Sequence, residues 1–454
     1  MSAPKTDVVI IGAGVAGFAA ALAARRQGAS VEIVSAHAGA TSLSGGAWDV
    51  CSDLYGSVDE VIRPLRTLAE EIETRAYEDE YHPYARLGEA CLRTIEEAHA
   101  LVLPALAIYR PLDLHSKGVL VGSDLGLLRR TATAQKAVLD LSAAGTFDTT
   151  VGANIPTALT TAVVSLVGDR STDADFLAAS WTELMSLTRK SRTFVPVALD
   201  FFRRKDDALL HPHEVAAIGD SEDGIASIAN ALKNALQKGR FSSVLVPPML
   251  GHRRDDVPGL VEDLVGIPVG EWLQPLAGPQ GLRLSRRIDE VLASEGCVHT
   301  RGAVSELELG TSGIEVRFID GSTRRPGAVV MATGKHVGGG LAMRDGDLVE
   351  PLAGLPIYID GRLQPLGSSP EGRDPALLFG NDPFSGGPGF RAGVGYDNSM
   401  RALGRRGEAA SQQLFVAGAL LEGFEPSRDG TGLGCCATTG YVAGKNAASF
   451  AGRS

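Results

Sequence analysis

Three glycines near the amino terminus have the spacing of a phosphate-binding loop. Gly12, Gly14 and Gly17 form the pattern G-x-G-x-x-G, directly after a buried strand predicted at residues 7–11 and at the start of an alanine-rich helix. Gly12 permits a tight turn, Gly14 lets the backbone approach a pyrophosphate, and Gly17 allows the helix to pack closely on the strand. The first turn of this helix, which contains Ala16, presents N–H groups to the anion. The pattern therefore predicts dinucleotide binding.

Three further loops suit a flavin. The first is a small-residue loop whose hydroxyl and N–H groups can meet a phosphate or a ring edge, although an ordinary turn explains it equally well. The buried strand predicted at residues 328–331 ends in A-T-G, where flavoproteins with two dinucleotide folds return the chain to the cofactor. The strand predicted from residue 414 leads to a glycine-rich loop that opens the last helix, and the dipole of that helix suits negative charge on a reduced flavin. The predicted cofactor residues in these loops are Ser44, Gly45, Gly46, Ala332, Thr333, Gly334, Gly418, Gly432, Leu433 and Gly434.

The end of the second predicted strand departs from the dinucleotide fingerprint. An acidic residue normally stands there and binds the adenosine ribose. Here the strand predicted at residues 30–34 is followed by Ser35, while Glu32 lies three residues too early and is expected to face solvent. Ser35 can offer the ribose one hydroxyl contact, but the missing carboxylate predicts weaker binding of the adenosine half. FAD is the predicted cofactor. FMN, which has no adenosine, is the alternative.

The order of the predicted elements indicates an interrupted α/β fold. Strand, helix and strand are followed by a long insertion, and then by a helix, a strand, an antiparallel meander and another strand. We expect a doubly wound, Rossmann-like flavin-binding domain with an antiparallel meander, plus an inserted α+β substrate or cap domain. The predicted flavin-binding domain comprises residues 1–57, 281–335 and 411–454, and the predicted substrate domain comprises residues 58–280 and 336–410.

Composition narrows the class of protein. The 454 residues include 43 Lys and Arg against 54 Asp and Glu, a net charge of -11, which argues against nucleic acid as a partner. The five cysteines have no C-x-x-C spacing, so neither a zinc nor an iron-sulfur site is predicted, and a reducing cytoplasm is expected. The apolar run at residues 8–24 invites interpretation as a signal peptide or a short membrane span. Its glycine spacing, and a length below the roughly 20 residues of a span, argue against both.

Several motifs along the chain resemble one family of flavoproteins. Beside the amino-terminal loop and S-L-S-G-G, they are V-L-V-P-P-M-L-G at 244–251, I-P-V-G-E at 267–271, A-T-G-K-H-V-G-G-G at 332–340 and L-F-V-A-G-A-L-L-E-G-F-E-P at 414–426. Together they resemble the B subunits of anaerobic glycerol-3-phosphate dehydrogenases, which are distantly similar to fumarate reductase flavoproteins. The resemblance implies FMN, against the prediction of FAD from the loops. It also implies a sister flavoprotein subunit and an iron-sulfur subunit that passes electrons to quinone. Association with the inner membrane through such partners is then expected.

Basic residues near the predicted flavin are candidates for substrate binding, because an anionic substrate needs cations. They are His336 and Lys335 after A-T-G, Arg391, and His252 and Arg253 after P-P-M-L-G. His336 is the predicted base that removes a hydroxyl proton while hydride goes to the flavin. A solvated loop charge is the alternative for each. The predicted reaction is oxidation of a small polyol phosphate or 2-hydroxy acid, glycerol 3-phosphate first by resemblance. A stand-alone flavin oxidase or reductase and a non-catalytic flavin-holding subunit are the alternatives.

Overall fold

The computed structural model describes residues 6–52, 66–142, 159–169, 172–187, 192–201, 211–237, 239–274, 278–345, 347–364, 379, 387–426 and 429–452. The strands are β1 (Val8–Ile11), β2 (Val31–Ser35), β3 (Ala47–Trp48), β4 (Val119–Gly122), β5 (Leu128–Thr131), β6 (Thr133–Ala134), β7 (Leu159–Leu166), β8 (Arg192–Leu199), β9 (Ser243–Val246), β10 (Val269–Glu271), β11 (Val298–Arg301), β12 (Val304–Gly310), β13 (Gly313–Phe318), β14 (Thr323–Arg324), β15 (Ala328–Met331), β16 (Ala342–Arg344), β17 (Asp347–Val349), β18 (Ile357–Ile359), β19 (Arg362–Leu363), β20 (Gly393–Val394) and β21 (Leu414–Val416).

The helices alternate with these strands for much of the chain. They are α1 (Val15–Arg26), α2 (Leu68–Glu78), α3 (Pro83–Leu87), α4 (Cys91–Leu106), α5 (Ala174–Ser186), α6 (Pro212–Ile218), α7 (Glu222–Leu236), α8 (Val257–Val265), α9 (Pro279–Ser294) and α10 (Gly432–Ala451). Short 3-10 turns lie at Ala40–Leu43, Gly88–Ala90, Pro388–Phe390 and Gly418–Leu420. None of the helices described is long and apolar enough to span a membrane.

A five-stranded parallel sheet lies at the centre of the protein. Its order is β11-β2-β1-β15-β21, so the first strand of the chain lies in the middle. Strands β1, β15 and β21 are apolar and fully buried, as expected for parallel strands that are covered on both faces. The strands predicted at residues 7–11 and 328–331 are confirmed to within one residue.

Small residues let the first and last helices, α1 and α10, pack closely side by side. A Cβ atom added to Gly440 would overlap the carbonyl oxygen of Ala16, and one added to Gly444 would overlap that of Ala20. The alanine-rich composition of α1 therefore has a packing cause, since larger side chains would separate α1 from α10. The predicted meander is also confirmed, because β12, β13 and β14 form an antiparallel sheet.

A second parallel sheet occupies the inserted region and corrects one expectation. Its order is β10-β9-β7-β8, and helices α5 to α8 lie between its strands in the chain. The described residues between 159 and 271 therefore form an α/β arrangement, and the expected α+β architecture is wrong for this part. Alternate residues of β7 enter two different cores: Val164 packs with α7, whereas Val163 packs with Trp181 of α5. A strand buried on both faces shows no polar alternation, which is why the sequence did not reveal it.

A buried ion pair joins helix α9 to the second sheet. Arg283 of α9 donates from Nη1 to Oε2 of Glu271, the last residue of β10, at 2.8 Å. Their side chains are 4% and 0% exposed. Gln280 donates to the same carboxylate, and the guanidinium also donates to Gln135 Oε1. Each charge in this contact is thus surrounded by hydrogen-bond partners, as a buried pair requires.

Candidate active site

A cavity of about 890 Å³ opens at the carboxyl ends of the central strands. This volume falls within the roughly 300–1,000 Å³ of ligand pockets, and the edge where parallel strands end is where open α/β sheets bind ligands. Most of the predicted cofactor residues line it: Gly12, Gly14, Ala16, Ser35, Ser44, Gly45, Ala332, Thr333, Gly334, Gly432 and Leu433. Four others, Gly17, Gly46, Gly418 and Gly434, are not among the described lining residues. The structure therefore brings loops from both ends of the chain to one cavity.

The amino-terminal loop is shaped by contacts that exclude side chains. Gly12 has a φ of 112°, and a Cβ atom there would lie 2.7 Å from the carbonyl carbon of Ala332. A Cβ atom on Gly17 would overlap the Gly12 carbonyl oxygen. Helix α1 begins with no acidic residue in its first turn, and the Val15 N–H group donates to Thr41 Oγ1 at 3.1 Å. Its amino-terminal end thus faces the cavity with the partial positive charge that suits a pyrophosphate.

The predicted glycines outside the lining support the walls of the cavity. A Cβ atom on Gly418 would lie 2.6 Å from Ala16 Cβ. One on Gly434 would lie 2.5 Å from Val50 Cγ1, and one on Gly46 would lie 3.1 Å from Gln280 Cδ. These positions bring α10 and the Ser44–Gly46 loop close to neighbouring elements, so their glycines serve packing.

Among the described residues, two further features of the cavity fit a polar ligand: an unpaired hydroxyl after the A-T-G strand and an uncapped helix start at α10. Thr333 Oγ1 is buried and has no hydrogen-bond partner among the residues that the structure describes. Helix α10 begins at Gly432 with no side-chain cap and no acidic residue in its first turn. Buried polar atoms are normally paired, so both features fit a polar ligand in this cavity. The residues present therefore fit a flavin dinucleotide.

Ser35 takes part in a short chain of polar side chains. Its hydroxyl lies 2.8 Å from His299 Nε2, on the neighbouring edge strand β11. His299 Nδ1 in turn lies 3.5 Å from Oδ1 of Asp289 on α9. Glu32, which was expected to face solvent, is buried and accepts a hydrogen bond from Thr300 Oγ1 at 2.7 Å. The expectation for Glu32 is wrong because β11 covers this part of β2.

Lys335 is part of the cavity wall but already has acceptors. Its ammonium donates to the carbonyl oxygens of Phe390 at 2.9 Å, Ala392 at 2.7 Å and Phe424 at 2.7 Å. Burial lowers the pKa of Lys335 to about 7, against the raising effect of the nearby Asp429 and Glu425 carboxylates. Lys335 therefore ties two chain segments together instead of presenting a free cation to a substrate.

His336 is the predicted base, and its residue lines the cavity. The residue is exposed, and its ring contacts Phe390 and Phe379 edge to face, with ring centroids 6.2 Å and 5.3 Å away. Burial and then the Lys335 ammonium lower the pKa of His336 below its ordinary value. The imidazole is accordingly neutral near pH 7 and able to accept a proton.

The other predicted substrate residues lie outside the described lining. Arg391 is held by Asp79, with N–O distances of 2.8 and 2.9 Å, and by Asp360 at 2.8 Å. His252 follows β9 in the second sheet, where its N–H group and that of Arg253 both donate to the Asp220 carboxylate. Arg391 is therefore committed to protein carboxylates, and His252 and Arg253 belong to the turn after β9.

Arg129 and Asp49 are lining residues that the sequence reasoning missed. Arg129 Nη1 donates to Asp49 Oδ1 at 2.9 Å, and the Asp49 carbonyl oxygen accepts the Gly434 N–H group at 2.9 Å. Asp49 follows the predicted Ser44–Gly46 loop by three residues, which was a signal available in the sequence. Arg129 carried none, because only the β4–β5 hairpin brings it there.

Sequence comparison relates this chain to known flavoproteins. Residues 7–179 match the family model described as FAD binding domain, which confirms the α/β flavoprotein fold and the prediction of FAD. The chain is 25% identical over 442 residues, 95% of each chain, to the anaerobic glycerol-3-phosphate dehydrogenase B subunit of Pectobacterium carotovorum subsp. carotovorum (strain PC1). It is 26% identical over 451 residues, 96% of each chain, to the protein of the same name from Yersinia enterocolitica serotype O:8. The predicted resemblance is thus confirmed.

A shorter match comes from Halobacterium salinarum, whose probable anaerobic glycerol-3-phosphate dehydrogenase B subunit is 29% identical over 211 residues, 44% of this chain and 46% of the relative. Among solved structures, a flavocytochrome c3 fumarate reductase gives a TM-score of 0.42 at 11% identity and covers 99% of this chain and 79% of its own. A 3-ketosteroid delta1-dehydrogenase from Sterolibacterium denitrificans gives 0.41 at 11%, covering 98% and 100%. The sequence similarities confirm the coarser functional prediction, a flavin-dependent oxidoreductase.

Proposed function

We propose that this chain is a dehydrogenase that oxidises a small hydroxylated substrate, with glycerol 3-phosphate as the first candidate. The observation that carries the proposal is the position of His336: it lines the cavity and directly follows the A-T-G segment. The names of the relatives that match over the whole chain support the choice of substrate.

The residues divide the work between binding and proton transfer. The amino-terminal end of α1 would hold the pyrophosphate of FAD, and the uncapped start of α10 would meet the ring edge that becomes negative on reduction. When bound, the flavin supplies a hydride acceptor at N5. The neutral imidazole of His336 takes the hydroxyl proton of the substrate, and edge-to-face contacts with Phe379 and Phe390 orient its ring.

The proposal includes a division of the chain into two units. The flavin-binding unit, doubly wound, is formed by residues 1–57, 281–335 and 411–454, since all five strands of the central sheet fall in these ranges. The substrate unit is formed by residues 58–280 and 336–410, and it contains the whole four-stranded sheet. Partner subunits, a sister flavoprotein and an iron-sulfur protein, would carry electrons onward from a cytoplasmic site at the membrane surface.

One observation favours a second function, a flavin-holding subunit without its own substrate. The two cations described in the lining, Arg129 and Lys335, already bind Asp49 and backbone carbonyl oxygens. A phosphate would have to compete with these partners. In that case the bound flavin would stabilise a complex, and chemistry would occur on a partner.

The test is anaerobic reduction of the purified, flavin-loaded protein by glycerol 3-phosphate, followed as loss of visible flavin absorbance. We expect reduction by the unmodified protein, and a rate roughly 10²–10⁴-fold lower for His336→Gln, because that variant lacks the base. His115→Gln is the matched control, since His115 is exposed and is not among the described lining residues. A flavin that stays oxidised with glycerol 3-phosphate and with 2-hydroxy acids would refute the dehydrogenase and support the flavin-holding subunit.

A further inference from the structure

The polar chain beside the cavity offers a substitute for the missing acidic residue. We infer that Ser35, His299 and Asp289 act together in place of that carboxylate, so that the Ser35 hydroxyl accepts hydrogen bonds from the adenosine ribose of FAD. Ser35 ends β2 and lines the cavity, and the Gly12 N–H group donates to the carbonyl oxygen of the preceding Val34 at 2.8 Å. This is the strand end where the dinucleotide fingerprint has its acid. The inference depends on FAD and is independent of the substrate.

The proposed role of Ser35 depends on which group receives the hydrogen bond that its hydroxyl donates. Ribose hydroxyls donate to a carboxylate, which only accepts, whereas a serine hydroxyl has one donor and two acceptor sites. If the hydroxyl donates to His299 Nε2, 2.8 Å away, both of its lone pairs remain available to the ribose. Ser35 then behaves toward the cofactor as an acceptor-only group.

The surroundings of His299 favour that arrangement. The Asp289 carboxylate, 3.5 Å from Nδ1, stabilises a proton on that nitrogen and leaves Nε2 as the acceptor. Burial lowers the pKa of His299, Asp289 opposes this shift, and Arg301 adds to it, so the ring is neutral near pH 7. Glu32, the carboxylate of β2, accepts a hydrogen bond from Thr300 and does not compete for His299. His299 is accordingly a positioning residue that acts on the cofactor through Ser35.

The experiment compares four proteins: the unmodified chain, His299→Leu, Ser35→Asp, and the double variant. Each is loaded with FAD and diluted, and the dissociation constant is taken from the recovery of flavin fluorescence. We expect His299→Leu to weaken FAD binding about tenfold in the unmodified background, the value of one hydrogen bond. In the Ser35→Asp background the same change should alter binding less than twofold, because an aspartate accepts without help.

Three results would overturn the inference. Equal losses in both backgrounds would show a merely structural role for His299, and no loss in the unmodified background would show no role. Failure of the Ser35→Asp protein to bind FAD would show that the ribose does not lie there. If His299→Leu does not fold, Asp289→Asn is the second test. We expect a two- to fivefold loss of FAD affinity, because the proton on the His299 ring is displaced from Nδ1. An unchanged dissociation constant for FAD would again overturn the inference.

Discussion

Replacing Gly12 by alanine should break the contact on which the cavity is built. Gly12 has a φ of 112°, and an added Cβ atom would overlap the carbonyl oxygen of Ala332. That carbonyl cannot move aside easily, because the Ala332 N–H group donates to Ile11 at 2.8 Å and continues the β1–β15 pairing. The overlap therefore has to be relieved by displacing the loop from the central sheet.

The magnitude follows from two separate costs. An alanine at positive φ costs about 1–2 kcal/mol, and overpacking against fixed backbone adds about 1–3 kcal/mol or more. Gly28 separates the two costs, since its φ is 83° and nothing lies within 4 Å of its Cβ position. Gly28→Ala should therefore show the backbone cost alone. The free energy of unfolding should fall further for Gly12→Ala than for Gly28→Ala, by about 1–3 kcal/mol.

The assay is urea unfolding of the two flavin-free variants side by side, followed by FAD titration of each. We expect Gly28→Ala to keep the FAD affinity of the unmodified protein, and Gly12→Ala to lose most of it because its loop is displaced. Equal destabilisation of the two variants would refute the reasoning, since the overlap with the Ala332 carbonyl would then have no energetic effect.

Three further changes test other parts of the structure. Gly14→Ala should weaken FAD binding and leave urea unfolding nearly unchanged, because its Cβ meets only Thr41 Oγ1, at 3.0 Å. Glu271→Gln should lower the free energy of unfolding by about 3–5 kcal/mol, because Arg283 stays charged and buried; a loss under 1 kcal/mol would contradict this. Burial lowers the pKa of His99 to about 4. Between about pH 6.5 and 4 the unfolded chain therefore binds a proton at His99 and the folded chain does not, so the free energy of unfolding falls as the pH falls. His99→Phe should then reduce the loss of stability between pH 7.5 and 5 by about 2 kcal/mol, measured by urea unfolding at both values.

The cofactor loops could be predicted because each is encoded locally. Gly12 is a glycine because a side chain would overlap a carbonyl oxygen, and the helix that begins at Gly432 has no acidic residue in its first turn. Both features can be recognised within a few residues of sequence. The strands that carry these loops are short, apolar and fully buried, so their positions were also clear. The sequence does not show which loops lie opposite one another across the cavity.

The residues that were missed depend on pairing between distant segments. Arg129 reaches the cavity on a hairpin, and His299 reaches Ser35 only because β11 pairs with β2 in parallel. Neither pairing has a local signal, since both strands are partly polar and short. The same limit explains the second sheet, where β7 has eight residues but no alternation that distinguishes it from a buried helix.

Lys335 and His336 are adjacent but have different roles: Lys335 holds two chain segments together, and His336 is the proposed base. Both follow the A-T-G segment and were candidates for a substrate contact, and His336 was the one predicted as the base. Lys335 binds carbonyl oxygens of Ala392 and Phe424, and so holds the segment that follows Pro388–Phe390 against the segment that precedes α10. Phe390, whose carbonyl also binds this ammonium, packs on the His336 ring. The position of the His336 imidazole therefore depends on Lys335. Lys335 contributes to the site by holding Phe390 in place and not by binding the substrate.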